Sequence, residues 1–165
     1  MVGGWELQQQ AYPLNGILKM RMFTRNKTFT FNYEYTSLLS PIEALRLNRT
    51  VRVIRTKLWE SGRIHFVFVS MPYMVQLGRG PTDVLAFPKH QRDGDLGLVF
   101  INVDYVQSRY KKSMWIPRME ELSVHAMLHL HGFTHDNTRN YELMRRTEIE
   151  VLGRPCLPKD LGDYE

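Results

Sequence analysis

The chain has 165 residues, 43% of them hydrophobic and 24% charged, close to the globular average, which excludes collagen, a long coiled coil and wholesale disorder. A domain of this length hides roughly 70% of the surface its unfolded chain exposes, so packing alone can carry a fold. Twenty-two Lys and Arg against 17 Asp and Glu leave a net charge of +5, which favours polyanionic partners, although a solvated basic face produces the same count.

No stretch approaches the ~20 apolar residues that span a bilayer, and no apolar block follows a basic start as in a secretory signal. A soluble protein without a membrane partner is expected. The one cysteine, Cys156, can close no disulfide within a single chain, which suits a reducing compartment and leaves any metal to other residues.

In chain order, residues 1–27 read as an irregular extension, broken by Gly3, Gly4, Pro13 and Gly16. Between Glu6 and Glu34 there are no acids but four bases, Lys19, Arg21, Arg25 and Lys27, a faint likeness to an organellar transit segment without its usual serines, and the segment is read first as a poorly ordered or partner-bound tail. From Thr28 to Tyr35 aromatic and polar residues alternate with the period of a half-buried strand. Ser40, Pro41 and Glu43 form a helix start, with a hydroxyl to cap the first amides and an acid three residues on to reach back. A basic helix is expected from there to about residue 60.

Ile64 to Val69 is β-branched and aromatic enough for a second strand, with His65 as an ordinary strand residue. Gly78, Gly80 and Pro81 mark a tight connection, Asp83 to Phe87 a short strand, and Leu96 to Val103 a buried strand leading to the basic stretch at Arg109, Lys111 and Lys112. The pattern turns helical from Pro117 to Leu130, with Glu120 and Glu121 placed to meet the positive end of the helix dipole. A last helix runs from Asn137 to Leu152 and stops at Gly153-Arg154-Pro155. Alternating strands and helices without a composition shift indicate a single α+β or α/β domain.

Four of the six histidines, His125, His129, His131 and His135, fall within one short stretch. On a helix His125 and His129 stand one turn apart on the same face, and Gly132 lets the chain reverse so that His135 approaches from the other side. Three neutral imidazoles then offer a tetrahedral site with one position open to water. His131 points about 160° from His129 round the helix and is read as a spectator or an RNA-facing residue. Imidazole-only ligation favours Zn2+, while nickel, copper or iron would also fit; bound zinc lowers the pKa of its water to roughly 7. Zinc proteases share the spacing but follow the first His with a catalytic Glu, and Ala126 stands in that place. A zinc-dependent metalloprotease-like hydrolase therefore remains only an alternative.

The segment from His125 to Asp136, His-Ala-Met-Leu-His-Leu-His-Gly-Phe-Thr-His-Asp, resembles the signature of the YbeY endoribonuclease family, and Pro81-Thr-Asp-Val-Leu-Ala-Phe-Pro88 is similar to that family's Pro-Thr-Asp-Val-Leu-Ser-Phe-Pro. The C-terminal helix with Met144, Glu148, Val151 and Leu152 is similar as well, so the likeness covers about residues 63 to 153. It implies an α+β fold, zinc on His125, His129 and His135, a cleft for single-stranded RNA, and ribosomal RNA maturation with assembly of the small ribosomal subunit. The family carries a phosphate-facing Arg on a helix before the Pro-Thr-Asp motif; here the span from Ser70 to Pro81 is too short for that helix, Gln76 holds the register position, and Arg79 is the nearby substitute. Ala86, Leu98 and Ala126 also replace the family's Ser, Asp and Gly. A missing donor of this kind costs roughly 3 kcal/mol of transition-state stabilisation.

The expectation is therefore one small α+β domain over residues 28–165, with a mixed sheet of about four strands packed against helices and a zinc site at the end of a central helix. Two functional readings stand beside each other: a zinc-dependent endoribonuclease with Arg79 as a phosphate clamp, and a catalytically weakened assembly factor on an immature small subunit. Arg109, Lys111, Lys112, Arg139, Arg145 and Arg146 are the candidate RNA-binding rim. Glu148 sits on the apolar side of its helix and needs a partner, either a ligand histidine or an Arg. The departures from the family pattern and the odd N-terminus point to a mitochondrial ribosome, with the cytoplasm as the other setting.

Overall fold

In a computed structural model of the chain, the residues described are 40, 42, 43, 45–47, 49, 50, 53, 63–77, 80, 82–88 and 95–158. The expected strand at 28–35, the N-terminal extension, and Gly78, Arg79 and Pro81 lie outside them. Positions 42, 43, 45–47, 49, 50 and 53 are helical. Their start is capped as the sequence predicts: Glu43 N donates to Ser40 Oγ at 3.3 Å and Ser40 N donates back to Glu43 Oε2 at 2.8 Å.

The sheet has three strands among the described residues, β1 (Arg63–Val69), β2 (Val84–Pro88) and β3 (Asp95–Asn102), in the order β1-β3-β2. β1 runs parallel and β2 antiparallel to the central β3. Among the described residues it is the expected mixed sheet with three strands, and the strand expected at 28–35 lies outside them. Both faces are covered, and the period of two in β1 shows how. Ile64, Phe66 and Phe68 enter the main core with Val99 and Ile101, while Val67 and Val69 join Phe100 and Met74 on the other face.

Among the described residues, four further helices carry the rest: α1 (Met71–Gln76), α2 (Val103–Arg109), α3 (Trp115–Leu130) and α4 (Thr138–Leu152). The span after Ser70 does hold a helix, contrary to the sequence-based expectation. Six residues suffice because Pro72 is tolerated in the first turn and Met74 buries completely against the second face of the sheet. α2 was likewise not expected. It starts where Asn102, fully buried at the end of β3, accepts from Tyr105 N at 3.1 Å and donates to Thr82 O at 3.0 Å. One side chain thus caps a helix and pins the loop that leads into β2.

α3 is the central helix, packed on β2, β3 and α4. It begins at Trp115, so Glu120 and Glu121 lie beyond its first turn and do not meet the dipole as expected. They answer cations instead. Glu121 receives Arg118 Nη1 at 3.1 Å and Arg154 Nη1 at 2.7 Å, and Leu157 N donates to it at 2.7 Å. Arg118 Nη2 also reaches Asp83 Oδ2 at 3.1 Å, tying α3 to the entrance of β2. At Gly97 a Cβ would collide with the Phe87 carbonyl oxygen and meet Leu130 Cδ2 at 2.7 Å, so the Leu96-Gly97 pair lets β3 lie close under the end of α3. No helix among the described residues is long and apolar enough to cross a membrane.

Asn102→Ala strips the part-buried Thr82 carbonyl and Tyr105 amide of their partners and is expected to cost about 1–3 kcal/mol of stability. Urea denaturation should show it as a lower midpoint with an unchanged slope.

Candidate metal centre

Three of the four clustered histidines converge. His125 and His129 lie on consecutive turns of α3, and His135 arrives from the loop before α4; one ring nitrogen from each falls within 4.8 Å of the others. His131 is the exposed C-cap residue of α3 and stands outside the triad. His65 lies in β1, as the sequence suggests.

The reversal that delivers His135 is a Schellman turn. Gly132 takes φ 86°, its N–H donates to His129 O at 2.9 Å, and Phe133 N donates to Leu128 O at 3.0 Å. The same turn aims the second ligand candidate, because His129 Nδ1 donates to the Phe133 carbonyl at 2.9 Å. Beyond it Asp136 Oδ1 gathers Thr134 Oγ1 and Asn140 Nδ2, each at 2.8 Å, and these bonds hold its carboxyl below the usual range. His135 is thus flanked by a locally cross-linked loop.

Glu148 settles the question left open by the sequence, and both of its partners are real. Its Oε1 accepts from His125 Nδ1 at 2.6 Å, while Oε2 faces Arg145 Nη1 at 3.4 Å and Cys156 Sγ at 3.8 Å. Burial pushes this carboxyl up, and the hydrogen bond and charge of His125 with the charge of Arg145 outweigh it, so the net shift is downward. Burial also raises the Cys156 thiol, with Glu148 and Glu121 adding to the effect against Arg145. The thiol is a packed group, not a thiolate.

These contacts decide the tautomers. A carboxylate and a carbonyl only accept, so the protons of His125 and His129 sit on Nδ1 and the lone pairs on Nε2. The two Nε2 atoms face each other at 3.0 Å, two acceptors with no donor between them. A cation resolves that arrangement, and ligand atoms on a tetrahedral zinc at 2.0–2.1 Å would stand about 3.3 Å apart. Desolvation first, then the neighbouring His125 and His135, lower the His129 pKa and keep its ring neutral. The residues fit a metal ion on three imidazoles, with Glu148 orienting one of them.

A cleft of about 300 Å³ opens at the triad, lined by His125, His135 and Glu148 together with Asp83, Tyr105, Arg118, Tyr141 and Arg145. Of the six cations expected at an RNA rim, only Arg145 lines this cleft. Arg109 stacks 5.2 Å over the ring of Tyr105, and Lys111, Lys112, Arg139 and Arg146 are exposed on α4 and the turn after α2. Arg118 went unnoticed in the sequence, although seven residues before His125 it shares that histidine's helix face. Gln76 is exposed at the end of α1.

Glu148→Gln is expected to weaken zinc binding about 10- to 100-fold, read by competition with a fluorescent chelator. In the metal-free protein, the neutral His129 ring contributes stability that is complete above its ordinary value of 6.5 and is lost as pH falls through the lower folded-state value. Thermal melts should therefore decline on acidification from pH 6.5, and His129→Gln should flatten that decline.

A family model described as Endoribonuclease YbeY matches residues 58–154. The Endoribonuclease YbeY of Campylobacter jejuni (strain RM1221) is 40% identical over 84 residues, which cover 48% of this chain and 61% of that protein. The chain thus spans less than two thirds of the length of the Campylobacter jejuni relatives it matches. The Endoribonuclease YbeY of Phytoplasma australiense is 32% identical over 107 residues, 56% of this chain and 74% of that one. Among solved structures, the solution structure of TM1509 from Thermotoga maritima aligns with a TM-score of 0.47 at 20% identity, over 70% of this chain and 85% of that one. With more than half of its length matched by the family model, this chain belongs to the YbeY family.

Proposed function

We propose that the protein is a zinc-dependent endoribonuclease of the YbeY type that acts on single-stranded ribosomal RNA during maturation and assembly of the small ribosomal subunit. The observation that carries this reading is the pair of Nε2 lone pairs facing each other at 3.0 Å, with His135 beside them at the mouth of an open cleft. Zinc held by His125, His129 and His135 supplies a Lewis acid for a phosphoryl oxygen and a nucleophilic water near neutral pH. The chain's own groups do the rest. Glu148 and the Phe133 carbonyl fix both helix imidazoles, and the exposed cations Arg109, Lys111, Lys112, Arg139 and Arg146 supply additive phosphate contacts.

The protease alternative loses support from the position of Ala126. That residue is fully buried in the main core, so a base at that place would have to stand away from the cleft. The catalytically weakened assembly factor keeps one observation in its favour, the exposed Gln76 where the family places an Arg. For the setting, the acid-free, basic run between Glu6 and Glu34 supports a mitochondrial ribosome, which fractionation of the tagged protein would check.

Purified zinc-loaded protein is expected to cleave single-stranded ribosomal RNA. Chelation or His129→Ala should reduce the rate to background, and Arg79→Ala should reduce it about 10²- to 10³-fold if that residue serves as a phosphate donor. Zinc loading with RNA binding and no cleavage would instead establish the assembly factor. Cleavage that survives His129→Ala would remove the metal centre from the reaction.

A further inference from the structure

The cleft carries two cations among the described residues, and they are not equivalent. Arg118 is engaged on both Nη atoms, at 3.1 Å from Glu121 and 3.1 Å from Asp83, and its side chain is 11% exposed. Its Nε has no partner among the described residues but is buried from solvent, so the group serves as the internal counterion of two carboxylates. Arg145 is 29% exposed and makes one carboxylate contact, Nη1 to Glu148 Oε2 at 3.4 Å, long for a charge-assisted bond whose usual range is about 2.7–2.9 Å. Among the described residues no side chain engages its Nε and Nη2 edge.

The charge balance of the cleft shows why this matters. Asp83, Glu121 and Glu148 line it against Arg118 and Arg145, so an anionic phosphodiester entering there meets carboxylates as well as the metal centre. It needs a cation whose donors are not already committed. Glu148 also links the two parts of the site, since one of its oxygens orients His125 and the other faces Arg145. A single carboxylate therefore keeps the guanidinium in register with a metal-binding imidazole.

We propose, on the reading of this centre as that of a phosphodiester hydrolase, that Arg145 is its phosphate-binding residue. The unengaged edge of its guanidinium grips the non-bridging oxygens of the scissile phosphate of a single-stranded RNA, and Glu148 holds the group from behind. This is a direct role at the reacting atoms, distinct from a general contribution to a basic rim. A guanidinium suits it better than an ammonium, because its planar fork can serve Glu148 and a phosphate at once.

The test compares full-length zinc-loaded wild type with Arg145→Ala, Arg145→Lys and, as a charge control, Arg46→Ala on the exposed face of the helical segment near the N-terminus. The readouts are bound zinc, affinity for a cleavage-resistant 2′-O-methyl single-stranded oligonucleotide, and cleavage of the unmodified one. Arg145→Ala is expected to retain zinc, bind the oligonucleotide about 10- to 100-fold more weakly, and lose turnover by more than it loses affinity. Arg145→Lys should restore most of the binding and little of the turnover, and Arg46→Ala should match wild type. The proposal is overturned if Arg145→Ala binds and cleaves as Arg46→Ala does. It is overturned equally if Arg145→Ala loses zinc in step with RNA, since Arg145 would then act only through Glu148. A wild type that binds the oligonucleotide and cleaves nothing overturns the enzymatic reading alone, and the binding comparison still decides the role of Arg145 as a phosphate contact.

Discussion

The buried carboxylate of Glu148 is the contact on which the site depends. It reaches from α4 to His125 on α3 at 2.6 Å, so the packing of these two helices and the aim of a ligand imidazole are one and the same arrangement. An ionised carboxylate in the core is costly unless its lone pairs are used. Here His125, Arg145 and Cys156 use them, which allows the acid to sit among Met144 and Val151 on the apolar face of α4. The candidate metal centre borrows its rigidity from a helix–helix interface.

A second ionic cluster holds the other end of α3. Arg118 joins Asp83 at the entrance of β2 to Glu121, and Glu121 receives Arg154 and the Leu157 amide from the segment after α4. The strand edge, the central helix and the C-terminal segment therefore meet around one carboxylate. Asn102 does the equivalent on the sheet side, joining β3, α2 and the loop at Thr82. Glu121 and Asn102 are buried and hydrogen-bonded, and each connects elements far apart in the chain, while the buried Nε of Arg118 has no partner among the described residues.

The parts that were legible in the sequence are those whose signal is local. The Ser40–Glu43 cap, the Asn137 start and Gly153 stop of α4, and the one-turn spacing of His125 and His129 follow from contacts within a few residues. Glu148 was legible as a residue in need of a partner, and the two partners considered for it both exist. The short helices α1 and α2 were not legible, because six or seven residues give too few turns for a period, and each is held by long-range burial of Met74 or by the Asn102 cap. The misplaced role of Glu120 and Glu121 has the same origin. Their partner Arg154 is set by tertiary packing and Arg118 lies one turn back on the same helix, while a dipole argument looks only at position in the helix. The strand expected at 28–35 and the clamp expected at Arg79 fall outside the described residues.

The turn at Gly132 has an unusual relation to its surroundings. An added Cβ there would meet nothing within 4 Å, yet the backbone sits at φ 86°. What restricts this position is therefore torsion and not volume. Asn or Asp, which tolerate positive φ better than other side chains, should be accepted more readily than the smaller Ala, and a β-branched residue least of all. Because Phe133 offers its carbonyl to His129 from the next position, a penalty absorbed at this one peptide would be passed on as misalignment of an imidazole rather than as loss of the core.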